Sequence, residues 1–144
     1  NIKKTIKATG LQKIYSSKNN NELTIICTGT SIEKSIKALE SCDNNKKNKC
    51  SLYGLNDLYI EDETKKKILN INSKKFLIVD DSPSKFGISS QLELIIRRNK
   101  DIKKQNIFSI TRQDNFIPFN EKLENIVRPT ESKIKNKIYQ MLKN

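Results

Sequence analysis

Two adjacent carboxylates, Asp80 and Asp81, follow the apolar run Phe76 to Val79 and are the residues best placed to do chemistry. Paired acids at a strand end can hold Mg²⁺, but a hard cation takes six or more oxygen ligands. Neighbouring strand residues also point to opposite faces. With no third acid close by in the sequence, the pair reads as a solvated strand end, and Mg²⁺ held there by another arrangement is the competing reading. The chain has three cysteines and no histidine. A zinc site with histidine, a histidine general base and a Ser-His-Asp triad are therefore excluded for this chain alone. Cys27 sits in an apolar run and reads as core. Cys42 and Cys50 flank the polar stretch "DNNKKNK" and read as free thiols, with a disulfide as the alternative.

These residues sit on a regular alternation of strand and helix patterns. "ELTIICTG" is a buried strand. Thr30 and Glu33 have capping-box spacing, and Ile32, Ile36 and Leu39 recur on one helix face. Asn44 to Lys49 reads as an exposed low-complexity loop, and "CSLYGL" as a second strand. Glu61, Asp62 and Glu63 precede Lys65, Lys66 and Lys67, an order that suits the helix dipole. "KKFLIVDD" is a third strand. A helix follows from Gly87, with Ile88, Leu92, Ile95 and Ile96 on one side. "QNIFSIT" is a fourth strand. A loop containing Pro118 and Pro129 leads to Thr130 as N-cap of a final helix with Ile134, Ile138, Met141 and Leu142 buried. "LQKIYSS" is read as an added edge strand and "SSKNNN" as a turn or loop. The result is a single domain over residues 1–144: an α/β, three-layer, mostly parallel open sheet of about five strands with helices on both faces.

The stretch "KKFLIVDDSPSKFG" is similar to the first strand of a receiver domain. Fewer than half of the residues follow Asp81, and no aspartate ends a downstream strand to accept a phosphoryl group, so length and order reject that reading. The net charge of +12 raises nucleic acid as a partner. The charge comes from 24 Lys against 4 Arg, alongside 17 Asn, 21 Ile and only 2 Ala, the pattern of an AT-rich gene. The lysines are scattered and lack interleaved aromatics for base stacking, so the charge reads as a solvated face and nucleic acid as an unlikely partner. No apolar run approaches the ~20 residues needed to span a bilayer.

Four stretches, taken in order, carry a resemblance over the whole chain. They are "ELTIICTGTSIEKSIKALE", "LYGLNDLYIEDETKKKIL", "KKFLIVDDSPSKFGISSQLELI" and "SITRQDNFIPFNEKLENIVRPTESKIKNKIYQML". Together they resemble the C-terminal domain of the transketolase-like thiamine diphosphate enzymes, most closely the beta subunit of the pyruvate-type 2-oxo-acid dehydrogenase decarboxylase component. The sequence departs from that pattern in "NDLY" after the second strand and in Arg112 where a glycine is usual.

The resemblance implies that thiamine diphosphate and Mg²⁺ are held by other domains, expected upstream of Asn1, and that this domain supplies no catalytic, cofactor-binding or metal-binding residue. Its role would be assembly. It would pack against an alpha subunit or a second copy of the same enzyme, and would help dock the small binding domain of the acyltransferase core. Candidate contact residues are Phe116, Ile117 and Phe119, too apolar for an ordinary solvated loop, although rings folded back on the core are the equal alternative. The turn with Ser82, Pro83, Phe86 and Gly87 is a second candidate, since open sheets place ligands or partners at the carboxyl ends of strands. The family typically has an acid before its last strand, where this chain has Lys103 and Lys104, so that either the partner differs, the partner's surface has drifted, or the carboxylate of Asn144 alone carries the attraction. The other branches considered are 1-deoxyxylulose-5-phosphate synthase and transketolase.

Overall fold

The computed structural model describes residues 10–57, 59–99, 106–113 and 116–143. Lys103, Lys104 and Asn144 lie outside the described residues.

Five strands form one sheet: β1 (Leu11–Tyr15), β2 (Leu23–Thr28), β3 (Cys50–Leu55), β4 (Lys75–Pro83) and β5 (Ile107–Arg112). Their order is β1-β3-β2-β4-β5. β1 runs antiparallel to β3 and the other pairings are parallel. The three central strands are nearly continuous apolar runs because both of their faces are covered. The helices are α1 (Ser31–Glu40), α2 (Asn44–Lys47), α3 (Asp62–Leu69), α4 (Ile88–Asn99), α5 (Glu121–Val127) and α6 (Glu131–Met141).

The period of two along each strand divides the core in two. Leu77 and Val79 of β4 join Ile25 and Cys27 of β2, Ile32 and Leu39 of α1, and Ile134 and Ile138 of α6 on one face. Phe76 and Ile78 join Ile26, Ile68 of α3, and Leu92 and Ile96 of α4 on the other. Gly54 of β3 lies under Ile14 and Ile32, whose side chains approach its would-be Cβ to 3.0 and 3.2 Å.

Three local readings are corrected. Asn44 to Lys49 is not a plain loop: Asp43 accepts from the Lys46 backbone N–H at 2.8 Å and starts the short α2. The segment before Pro129 is not all loop, since Asn120 caps α5 through the Lys122 and Leu123 N–H groups. Thr30 makes no side-chain cap on α1; its hydroxyl instead donates to Asp81 Oδ2 at 3.1 Å. Thr130 does cap α6, accepting from the Lys133 N–H at 3.3 Å. No helix among the described residues is long and apolar enough to cross a membrane.

Candidate functional site

β2 hands the chain to α1 on one face, while its neighbour β4 hands it to α4 on the other. Such a switch between adjacent parallel strands opens a crevice at their carboxyl ends. Here it is a cavity of about 380 Å³, lined among others by Thr30, Asp57, Asp80, Phe86, Gly87 and Gln91.

Asp80 continues the Phe76–Ile78 side of β4 and so turns toward α4. It is only 4% exposed. Its Oδ1 accepts from the Thr28 hydroxyl at 2.8 Å and the Ser82 N–H at 3.2 Å. Its Oδ2 accepts from the Ser82 hydroxyl at 2.5 Å and the Ser89 N–H at 3.1 Å. The last of these places a negative charge on the first turn of α4, where the helix dipole favours it. A Cβ on Gly87 would lie 2.2 Å from Ser82 Oγ, 2.6 Å from Asp80 Oδ2 and 2.8 Å from the Pro83 carbonyl oxygen. This turn requires glycine for space rather than for backbone conformation.

Asp81 continues the Leu77–Val79 side and turns toward α1. Arg128 Nε donates to Oδ1 at 3.0 Å and to Oδ2 at 2.8 Å, and a terminal guanidinium nitrogen joins Oδ2. The other terminal nitrogen of Arg128 pairs with Glu124, and Lys34 Nζ stands 3.9 Å from Asp81 Oδ2. The bond to Asp81, and then that to Glu124, holds the Arg128 pKa above its already high ordinary value.

The reading of the two acids as a solvated strand end is therefore wrong. Both are enclosed, and they diverge because successive strand residues alternate faces. Among the described residues, no group of three His, Cys, Asp or Glu side chains is arranged for a metal. A diphosphate at this crevice would be received at the N-terminus of α4, but that position is filled by the chain's own Asp80 carboxylate. The residues here do not fit thiamine diphosphate.

The three cysteines are buried free thiols. Burial pushes the Cys27 and Cys50 thiols up to about 12, which suits packing and not nucleophilic catalysis.

The apolar residues of the "NFIPF" stretch do not fold back on the core. Phe116 and Phe119 are fully exposed and Ile117 is 45% exposed. Two apolar residues of α5 that sequence reasoning missed, Leu123 and Ile126, are also exposed, by 50% and 58%. They sit three apart, a spacing that marks one helix face, but the signal is legible only once α5 is known to be a helix. In the other candidate turn, Phe86 is 90% exposed, whereas Ser82 and Gly87 are engaged with Asp80. Pro83 pairs with Arg112 across a register shift between β4 and β5. The structure thus separates the predicted contact residues into an outward apolar surface and an inward structural lock.

No family model and no curated protein matches the sequence. Among solved structures, the chain is similar to one described as "Split gene transketolase, inactive beta4 tetramer", with a TM-score of 0.74 and 10% identity. The likeness covers 95% of this chain and 43% of that one, so the chain spans less than half the length of the protein it matches. At that identity the likeness shows the fold alone, and the fold is the α/β architecture of a transketolase-like C-terminal domain.

Proposed function

We propose that the chain is a non-catalytic assembly and docking domain of a transketolase-like thiamine diphosphate enzyme, of the type found in the beta subunit of 2-oxo-acid dehydrogenases. The observation that carries this reading is the exposure of the apolar side chains Phe116, Ile117, Phe119, Leu123 and Ile126. An isolated domain gains nothing from holding such side chains in water, whereas burial against a neighbour stabilises by about 25 cal/mol per Å² of apolar area. At the strand-end crevice, where an open sheet would take a ligand, the first turn of α4 is already occupied by the Asp80 carboxylate, which supports placing cofactor and Mg²⁺ on other domains. The partner that fits first is another chain of the same enzyme, an alpha subunit or a second copy. The acyltransferase binding domain is a further partner in the dehydrogenase branch, with Asn144 and Phe86 as contact residues.

A transketolase or a 1-deoxyxylulose-5-phosphate synthase is the second reading. The observation behind this second reading is the fold shared with the solved structure described as a split-gene transketolase.

Calorimetric titration with thiamine diphosphate and Mg²⁺ tests the proposal. The 144-residue chain should show no binding, and a longer polypeptide carrying the cofactor domains should bind. Tight binding by the short chain would refute it. Within an assembled enzyme, Phe119→Ser should weaken subunit association by about tenfold or more, the loss typical of a buried aromatic contact.

A further inference from the structure

β5 is the last strand of the sheet, and among the described residues no strand pairs with its outer edge. Alternate residues of such an edge carry N–H and C=O groups with no ladder partner, a template for one more strand. Unlike β2 and β3, which are buried throughout, β5 is mostly half-exposed, with Phe108 outward.

Beside this edge runs a groove of about 490 Å³ between β5, α5 and α6. Its apolar lining includes Phe108, Ile110 and Ile126, and among the described residues its charged lining is Lys133 and Lys137, with no acid. Lys133 donates to the carbonyls of Asn125, Ile126 and Arg128 at 2.6 to 3.0 Å, so it offers charge and no free donor. Lys137 lies over the Phe108 ring, 3.3 Å from its centroid, and is bonded to Gln140 at the surface. At the end of the strand, Arg112 Nε is enclosed, with no hydrogen-bond partner among the described residues. On the opposite face Ser109 donates to Glu93 at 3.4 Å, and Glu93 is also held by Arg97 at 2.8 Å.

We propose that the β5 edge receives an extended acidic segment of a partner protein as a sixth strand. On its groove-facing side, apolar side chains would lie beside Phe108, Ile110 and Ile126 and a carboxylate would meet Lys137 in the field of Lys133. Backbone pairing supplies affinity and the alternating side chains supply choice. A second copy of this chain is the poorer occupant, because it would bring Arg112, Lys133 and Lys137 against their own equivalents under a net charge of +12 on each chain. This inference does not depend on the chain belonging to a thiamine diphosphate enzyme.

The probe is a synthetic octapeptide, Val-Thr-Glu-Thr-Val-Thr-Glu-Thr, which puts Val and Glu on one face of a strand, compared with its counterpart carrying Lys in place of Glu by fluorescence anisotropy at low and at physiological salt. The acidic peptide should bind at least about tenfold tighter, weaken with salt, and slow hydrogen exchange of alternate β5 amides. Lys137→Glu, at a half-exposed position where folding is checked by circular dichroism, should remove most of that preference; Lys137→Gln should remove less. Three results would overturn the proposal: binding by neither peptide, equal binding by both, or binding without β5 protection. Concentration-dependent dimerisation that protects the same amides would also overturn it, by assigning the edge to a second copy.

Discussion

Asp80 joins three parts of the chain through one carboxylate: β2 by Thr28, the turn by Ser82, and α4 by the Ser89 N–H. Removing it leaves buried donors unpaired, which costs more than the bonds themselves contribute. Asp80→Ala should destabilise by about 2–4 kcal/mol in urea denaturation, combining those orphaned donors with a lost helix cap. Gly87→Ala should cost about 2 kcal/mol or more, since the Pro83 carbonyl in its path belongs to the backbone and moves little. The thiols give a pH signature. Folded Cys27 and Cys50 titrate at about 12, above the ordinary value of 9.0. Their unfolded forms therefore lose protons first. The stabilising contribution is complete below pH 9 and declines as pH rises toward 12, by up to about 1.4 kcal/mol per pH unit for each thiol. Equilibrium denaturation from pH 8 to 11 should show this decline, and Cys50→Ala should make it shallower.

At the scale of elements, the central strands and the helices α1, α3, α4 and α6 are legible in the sequence, because a buried run or an apolar stripe is a one-dimensional record of burial. The two short helices are not. α2 has no apolar stripe and that of α5, Leu123, Ile126 and Val127, spans a single turn, and each helix is started by a single side chain, Asp43 or Asn120, whose capping bond is a matter of geometry. Thr30 shows the reverse error: its capping-box spacing is present, but Asp81 claims its hydroxyl. α5 is held to the sheet end by Arg128 bridging Asp81 and Glu124, and by the Gln113 N–H donating to the Val127 carbonyl at 2.9 Å. Arg128→Met should loosen this attachment by about 1–2 kcal/mol, discounted for the partial exposure of the pair. The change should appear as faster hydrogen exchange in residues 121–128 with little change in α4. Arg128→Lys should recover only part of the loss, because an ammonium lacks the fork that grips two carboxylates.

For the whole molecule, a three-layer α/β domain follows from the order of strands and helices, since parallel neighbours need crossovers and crossovers cover both faces. Outward placement of Phe116 and Phe119 could not be read in this way, because an apolar loop residue has the same letter whether it faces core or solvent. The scattered lysines behave as a solvated coat in part, yet several have structural duties. Lys46 and Lys75 donate to the carbonyls of Leu142 and Met141 at the end of α6, at 3.0 and 2.6 Å. Any affinity for duplex DNA should therefore be weak and non-specific, and should fall steeply between 50 and 200 mM salt as counterion release predicts. Sequence-selective binding that survives physiological salt would contradict this reading.

The sequence by itself determined the class of the sheet, most of the core, and the absence of histidine chemistry, because these depend on residue type and periodicity alone. Tertiary structure decided what the two aspartates do and which way the aromatic loop faces. Those outcomes depend on partners far away in the chain, Thr28 and Arg128 among them, that only folding brings within hydrogen-bonding distance.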